Sequence, residues 1–159
     1  MSKLDNIGDE VEHYIFTVNN ISSKDSLMLA EDIVKGLLQQ KVWFFSSITP
    51  LHSKLKKGDK VLVYLCGKNR RYFGAKLNID GEIANISHNP ELTKTKHSLG
   101  LDWFDLYIQL DNIKYFNNKI FIKPLIQELT FIKNKKNYGL NLRLPIINIP
   151  ETDFRLISD

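Results

Sequence analysis

One cysteine, two methionines and five prolines in 159 residues leave little with which to build a cross-linked, metal-stapled or proline-rich chain. Cys66 alone excludes a disulfide framework and a cysteine zinc site. Its neighbours are apolar, so it reads as a buried, inert thiol in a reducing, cytoplasmic setting. No apolar run reaches the ~18 residues of a membrane span, and no basic-plus-apolar start marks an export signal. His13, His52, His88 and His97 stand apart, none in the H-E-x-x-H or H-x-x-x-H spacing of a metal site. Gly67-Lys68-Asn69 lacks both the earlier glycine and the hydroxyl of a phosphate loop. Asp80 and Glu82 share one strand face, but no lysine follows at the near spacing of a carboxylate nuclease. The expectation is a chain without metal, cofactor or catalytic constellation, which leaves binding as its task.

What is present suits one globular domain: 43% hydrophobic and 25% charged residues. The formal charge of +4 is modest, but its distribution is uneven. Residues 1–34 hold seven acids (Asp5, Asp9, Glu10, Glu12, Asp25, Glu31, Asp32) against Lys3 and Lys24. From Ser53 to Lys76 only Asp59 opposes Lys54, Lys56, Lys57, Lys60, Lys68, Arg70, Arg71 and Lys76. From Lys114 to Arg143 only Glu128 opposes Lys114, Lys119, Lys123, Lys133, Lys135, Lys136 and Arg143. Two basic zones interleaved with aromatics and asparagines are the sequence footprint of a polyanion partner.

Periodicity predicts mostly strands. His13–Val18 reads as a strand stopped by Asn19-Asn20, and Ser26 as the cap of a helix through about Gln40. Val42–Ser46 and Lys60–Cys66 read as strands, and Tyr72–Ile86 as a strand pair or one bent strand with bulges at Gly74 and Gly81. Ser87–Asp102 reads as a long loop, Phe104–Phe116 as a strand turned by Asn117-Asn118 into Lys119–Ile122, and Pro124 to about Leu129 as a short helix. Leu140–Ile149 is strand-like, and Pro150-Glu151 opens a last helix. The sum is an α+β chain whose glycine-punctuated strands favour a curled sheet or small barrel. Residues 1–12 read as an N-terminal extension and 13–159 as a single domain.

Binding chemistry is concentrated in Val42-Trp43-Phe44-Phe45-Ser46-Ser47, where stacking faces are followed by hydroxyls. Strand alternation puts Trp43 and Phe45 on one side and Phe44 on the other. Trp103, closing the long loop, is a second candidate wall for a pocket.

These segments, in order, resemble the EVE domains of the PUA-like superfamily, relatives of the YTH readers of methylated RNA. The resemblance runs through His13–Asn19, Val42-Trp43, Leu55–Val61, Val63-Tyr64 and Phe73-Gly74-Ala75. Its most specific part is Lys123-Pro124-Leu125-Ile126, then Leu129 to Lys136, then Ile149-Pro150-Glu151-Thr152-Asp153-Phe154. It implies a pseudo-barrel with flanking short helices, and a pocket for a flipped, modified base, in DNA first and in RNA as the alternative, with a PUA-like nuclease or a nucleoside sensor as further alternatives. It implies too a role as the targeting module of modification-dependent restriction, with a fused or associated motor or nuclease and no membrane. Trp43, Phe44, Ser46, Asn19, Trp103 and Tyr138 are then the expected pocket residues. Arg70, Arg71, Lys94, Lys96, Lys133, Lys135, Lys136 and Arg143 are the expected contacts to the nucleic-acid backbone. The chain departs from the pattern where EVE domains usually have Trp-Gly for Trp43-Phe44, and often tryptophan for Tyr138.

Overall fold

Apolar side chains run without a break through the central strands because both faces of the sheet are covered. The computed structural model describes residues 10–22 and 25–159, so most of the expected extension lies outside the described residues. In chain order the elements are β1 (His13–Val18), β2 (Ile21–Ser22), β3 (Leu27–Met28), α1 (Ala30–Gln39), β4 (Val42–Phe45), β5 (Lys60–Leu65), β6 (Tyr72–Ile79), β7 (Ala84–Asn85), α2 (Pro90–Ser98), β8 (Leu106–Phe121), β9 (Ile146–Ile149) and α3 (Glu151–Ser158). The main sheet runs β4-β8-β6-β5-β1-β9, with β7 added to β8, while β2 and β3 form a separate pair. Only β1 and β5 pair in parallel, with His13 opposite Lys60 and Val18 opposite Leu65. The other pairs are antiparallel, which makes a mixed sheet curled into a half-barrel.

Tyr14, Phe16 and Val18 of β1 and Val61, Val63 and Leu65 of β5 face the inner core, with Trp43, Phe45, Ile108 and the α1 residues Ile33 and Leu37. Ile15, Leu62 and Tyr64 face the opposite way, under Ile122, Ile126, Leu129, Phe154 and Ile157. Period-two alternation therefore sorts one strand between two cores.

Several segments differ from the expected pattern. The helix starts at Ala30, not after Ser26, and its first free N–H donates to Asn20 Oδ1 at 2.8 Å, so Asn20 does the capping from ten residues away. Asn117-Asn118 makes no turn. β8 runs through it, and Phe116–Lys119 bulge opposite Gly74, between the pairs Phe73–Ile120 and Ala75–Tyr115. Gly81 lies past the end of β6, and β7 pairs with β8 rather than with β6. The expected loop from Ser87 contains α2, whose start Asn89 caps by accepting from Leu92 N at 3.1 Å, with Pro90 at the first position. Pro124 sits in a 3-10 turn of Lys123–Leu125, and the last strand is shortened to β9 because Tyr138–Leu142 is a 3-10 turn. Among the described residues no helix is long and apolar enough to cross a membrane.

Two buried carboxylates pin the loops. Asp59, fully buried, accepts from Glu12 N, Lys56 N and Lys56 Nζ. Asp153, 2% exposed, accepts from Thr130 N, Thr130 Oγ1 and Phe131 N at 2.8–3.0 Å, and so joins the two C-terminal motifs that carry the family resemblance. Asp153→Ala should lower unfolding free energy by about 2–3 kcal/mol, since charged-acceptor bonds are lost and partly buried N–H groups are orphaned. Urea titration measures it, and an unmoved midpoint would refute the role.

Candidate functional site

The end of β1 is a wall with a cavity on each side. On one side Thr17, Val18 and Asn19 meet Trp43 and Phe44 of β4, Ile33 and Leu37 of α1, and Leu101, Trp103 and Phe104 of the segment before β8, around about 190 Å³. That space is below the roughly 300–1,000 Å³ of a drug-sized site, and suits one flat heterocycle. On the other side the same three residues meet Tyr64, Cys66, Gly67, Arg71, Lys136, Tyr138 and Arg143 around about 580 Å³.

The first cavity is aromatic and uncharged. Trp43, only 4% exposed, lies 5.6 Å from Phe16, and Phe45 lies 5.2 Å from the same ring, so the two share one side as alternation requires. Trp103, 59% exposed, leans on Phe104 at 5.3 Å and forms the outer wall. Asn19 Oδ1 accepts from Asn20 N at 2.8 Å, and its Nδ2 has no partner among the described residues. That amide is a polar group the cavity can offer to the edge of a bound ring.

The second cavity is cationic. Arg71 reaches it with left-handed backbone (φ 60) and donates a long bond, 3.3 Å, to Tyr138 Oη. Lys136 and Arg143 approach from the other basic zone, and among the described residues no acid lines the space. Burial pushes the Cys66 thiol up from 9.0 to about 11 and raises the Tyr64 phenol well above its ordinary range, so the floor, neutral at pH 7 like any free thiol or phenol, stays neutral further into alkali. Nothing there offsets the three cations. Gly67, at φ +117 with Asn19 Oδ1 3.4 Å from where a Cβ would stand, lets the β5–β6 hairpin close against the wall.

The expected residues are thus divided. Asn19, Trp43, Phe44 and Trp103 line one cavity, whereas Tyr138 lines the other. Ser46 lines neither, lying in the turn after β4 where its Oγ accepts from Ile48 N at 3.4 Å. Of the eight expected backbone cations, Arg71, Lys136 and Arg143 converge. Arg70 is instead occupied by a two-pronged bond to Glu31 at 2.7 and 2.8 Å. Lys135 is a correction too: its Nζ donates to the carbonyls of Ile126 and Leu129 at 2.9 and 2.6 Å, and holds the turn after β8. Lys133 borders a recess that also holds Glu10, Glu12 and Glu151, a poor place for an anion. Lys94 and Lys96 ride on α2 and line neither cavity. Tyr64, Leu101 and Phe104 were not anticipated. Phe104 adjoins Trp103 in sequence and could have been found by that signal.

No protein-family model matches the chain. A UPF0310 protein of Pyrococcus abyssi is 31% identical over 110 residues, covering 66% of this chain and 75% of that protein. Among solved structures, human THYN1 in complex with DNA containing 5-methylcytosine superposes with a TM-score of 0.54 at 14% identity, covering 92% of this chain and 95% of that one. The YTH domain of Zygosaccharomyces rouxii MRB1, in complex with N6-methyladenosine RNA, gives 0.57 at 14% identity, covering 94% and 85%. The N-terminal domain of Staphylothermus marinus McrB gives 0.57 at 9%, covering 92% and 93%. At these identities the likeness shows the fold.

The raised thiol has a consequence for stability. A group whose folded pKa is raised contributes its full share below the unfolded value and loses it as pH climbs to the folded one. Cys66 therefore destabilises the fold between about pH 9 and about 11, and Tyr14, pushed up from 10.0 to about 12 mainly by burial, adds to this between those two values. Alkaline unfolding should be shallower in Cys66→Ala over pH 9–11. Identical slopes would show the thiol to be free of this burial.

Proposed function

From a chain that belongs to the UPF0310 family and folds as a PUA-like domain of the EVE and YTH kind, we propose a non-catalytic nucleic-acid-binding domain that reads a modified base turned out of its strand. The observation that carries this reading is the shared wall: Thr17, Val18 and Asn19 line both the aromatic cavity and the acid-free cationic one. A flipped base needs flat apolar faces with few polar groups, and the phosphate beside it needs cations within a nucleotide's length. Trp43 and Trp103 offer the faces, Asn19 the edge contact, and Arg71, Lys136 and Arg143 the cations.

Magnitudes divide the work between the two cavities. A buried methyl adds about 0.8 kcal/mol and a base stack about 1–3 kcal/mol. The aromatic side therefore discriminates modestly, and phosphate contacts supply the larger, salt-sensitive share of affinity. Two solved structures of this fold hold methylated nucleic acid, one DNA and one RNA, which supports the ligand class. For this chain the strand is proposed to be DNA. The setting is proposed to be modification-dependent restriction in the cytoplasm, with cutting done by a fused or associated protein.

Anisotropy titrations with methylated and unmethylated duplexes test the reading. Trp103→Ala is the clean variant, because Trp43 packs on Phe16 and its truncation would open the core. Trp103→Ala should cost the methylated duplex about 1–3 kcal/mol and most of its preference. Arg71→Ala or Arg143→Ala should weaken both duplexes alike and reduce the salt slope by about one each. Equal wild-type affinity for both duplexes would sink the reading, and stronger competition by matched RNA would move it from DNA to RNA.

A further inference from the structure

Ile48 is the most exposed large apolar side chain among the described residues, at 88%. One exposed aliphatic residue is ordinary, but the loop presenting this one is braced. Thr49 N donates to Ser46 O at 2.9 Å and closes the turn. Ser47 N donates to Asp105 Oδ1 at 2.7 Å, and Asp105 N donates to Phe45 O at 3.1 Å. His52 Nε2 donates to Ser47 O at 3.1 Å, and its Nδ1 is buried with no partner among the described residues. Leu51 sits at φ 71, a left-handed backbone that a bulky side chain rarely adopts. An orphaned nitrogen and a strained leucine both cost free energy, and such costs persist where surrounding structure holds a segment in one shape.

The turn that presents Ile48 is tied to the segment that walls the aromatic cavity, through the bond from Ser47 N to Asp105. Asp105 follows Trp103 and Phe104 in its outer wall, and β4, which leads into the turn, carries Trp43 and Phe44. A base turned out of a duplex leaves a gap in the stack, and apolar side chains inserted at the step fill it. A β-branched residue suits this task because few rotamers are lost on insertion.

We propose that Ile48 is the wedge that enters the stack as the base is turned into the cavity, and that the ligand is therefore double-stranded. The proposal rests on the base-reading function above and goes beyond it, since that function is equally served by a single strand.

The full chain, Ile48→Ser and Ile48→Leu are titrated with short duplexes carrying one 5-methylcytosine or one N6-methyladenine, and with the same strands unpaired. The side chain is exposed, so neither change touches a core. Ile48→Ser should bind the methylated duplex about tenfold more weakly and the methylated single strand within about twofold of wild type, because a single strand has no gap to fill. Ile48→Leu should keep most of the duplex affinity. Equal loss on both forms, or no loss on the duplex, overturns the wedge. Wild-type binding confined to single strands overturns the wedge and leaves the base reader standing, whereas wild-type binding to neither form overturns both.

Discussion

Phe16 touches Trp43 at 5.6 Å and Phe45 at 5.2 Å, ring centre to ring centre, although β1 and β4 have three other strands between them in the sheet. That contact is possible only if the sheet curls until its first and fifth strands face each other. Aromatic pairs contribute about 0.5–1.5 kcal/mol beyond the area they bury, but the geometric effect is larger than that. It draws the end of β1, with Thr17 and Asn19, up to the tryptophan of β4. Without it the aromatic cavity has no second side.

The curl also needs a strand able to serve both halves of the half-barrel, and β8 does so. Its first residues pair with β4 and β7, and its later ones with β6. Just inside the part that pairs with β6 lies Asn112 in the left-handed region (φ 48), at the register shift between Lys76–Lys114 and Asn78–Asp111. Asparagine is among the few side chains that adopt this backbone readily. The bulge opposite Gly74 bends the same strand again. Once bent, the sheet has an outer face to cover, and Asp153 and Lys135 tie the C-terminal segment down over it.

These bends account for what the sequence did and did not disclose. β1, β4 and β5 were legible because alternation and β-branching act locally, and both survive in the fold. Asn117-Asn118 misled because the composition of a turn is also the composition of a bulge, and only the partner strand decides between them. α2 was hidden by its polarity: Leu92 is its one buried residue, so no periodic stripe exists to be read. Asn89-Pro90 reads as loop composition, yet it is the cap and first position of this helix, and such a start outweighs a missing stripe on a helix that lies at the surface. At the site, the aromatic residues were legible as types, and the separation of Tyr138 from Trp43 into different cavities was not, because it depends on which side of β1 each loop lands.

Charge was the least legible property, for a physical reason. A lysine's place in the sequence says nothing of where its ammonium goes at the end of a flexible stem, and Lys135 turns inward to two carbonyls while its neighbour Lys136 turns to the cavity. The acids of the N-terminal third also act locally: Glu31 holds Arg70, and Glu10 and Glu12 border the recess shared with Lys133. Their effect is to remove cations from some places and leave others uncompensated. Arg71, Lys136 and Arg143 stand over a neutral floor, and among the described residues no acid lines their cavity. Three cations so placed attract a phosphate more strongly than a larger number scattered among carboxylates, because the interaction falls within a Debye length of about 8 Å at physiological salt. A net charge of only +4 is therefore compatible with three cations gathered around one cavity, and what matters is that this cavity lies across one strand from the aromatic one.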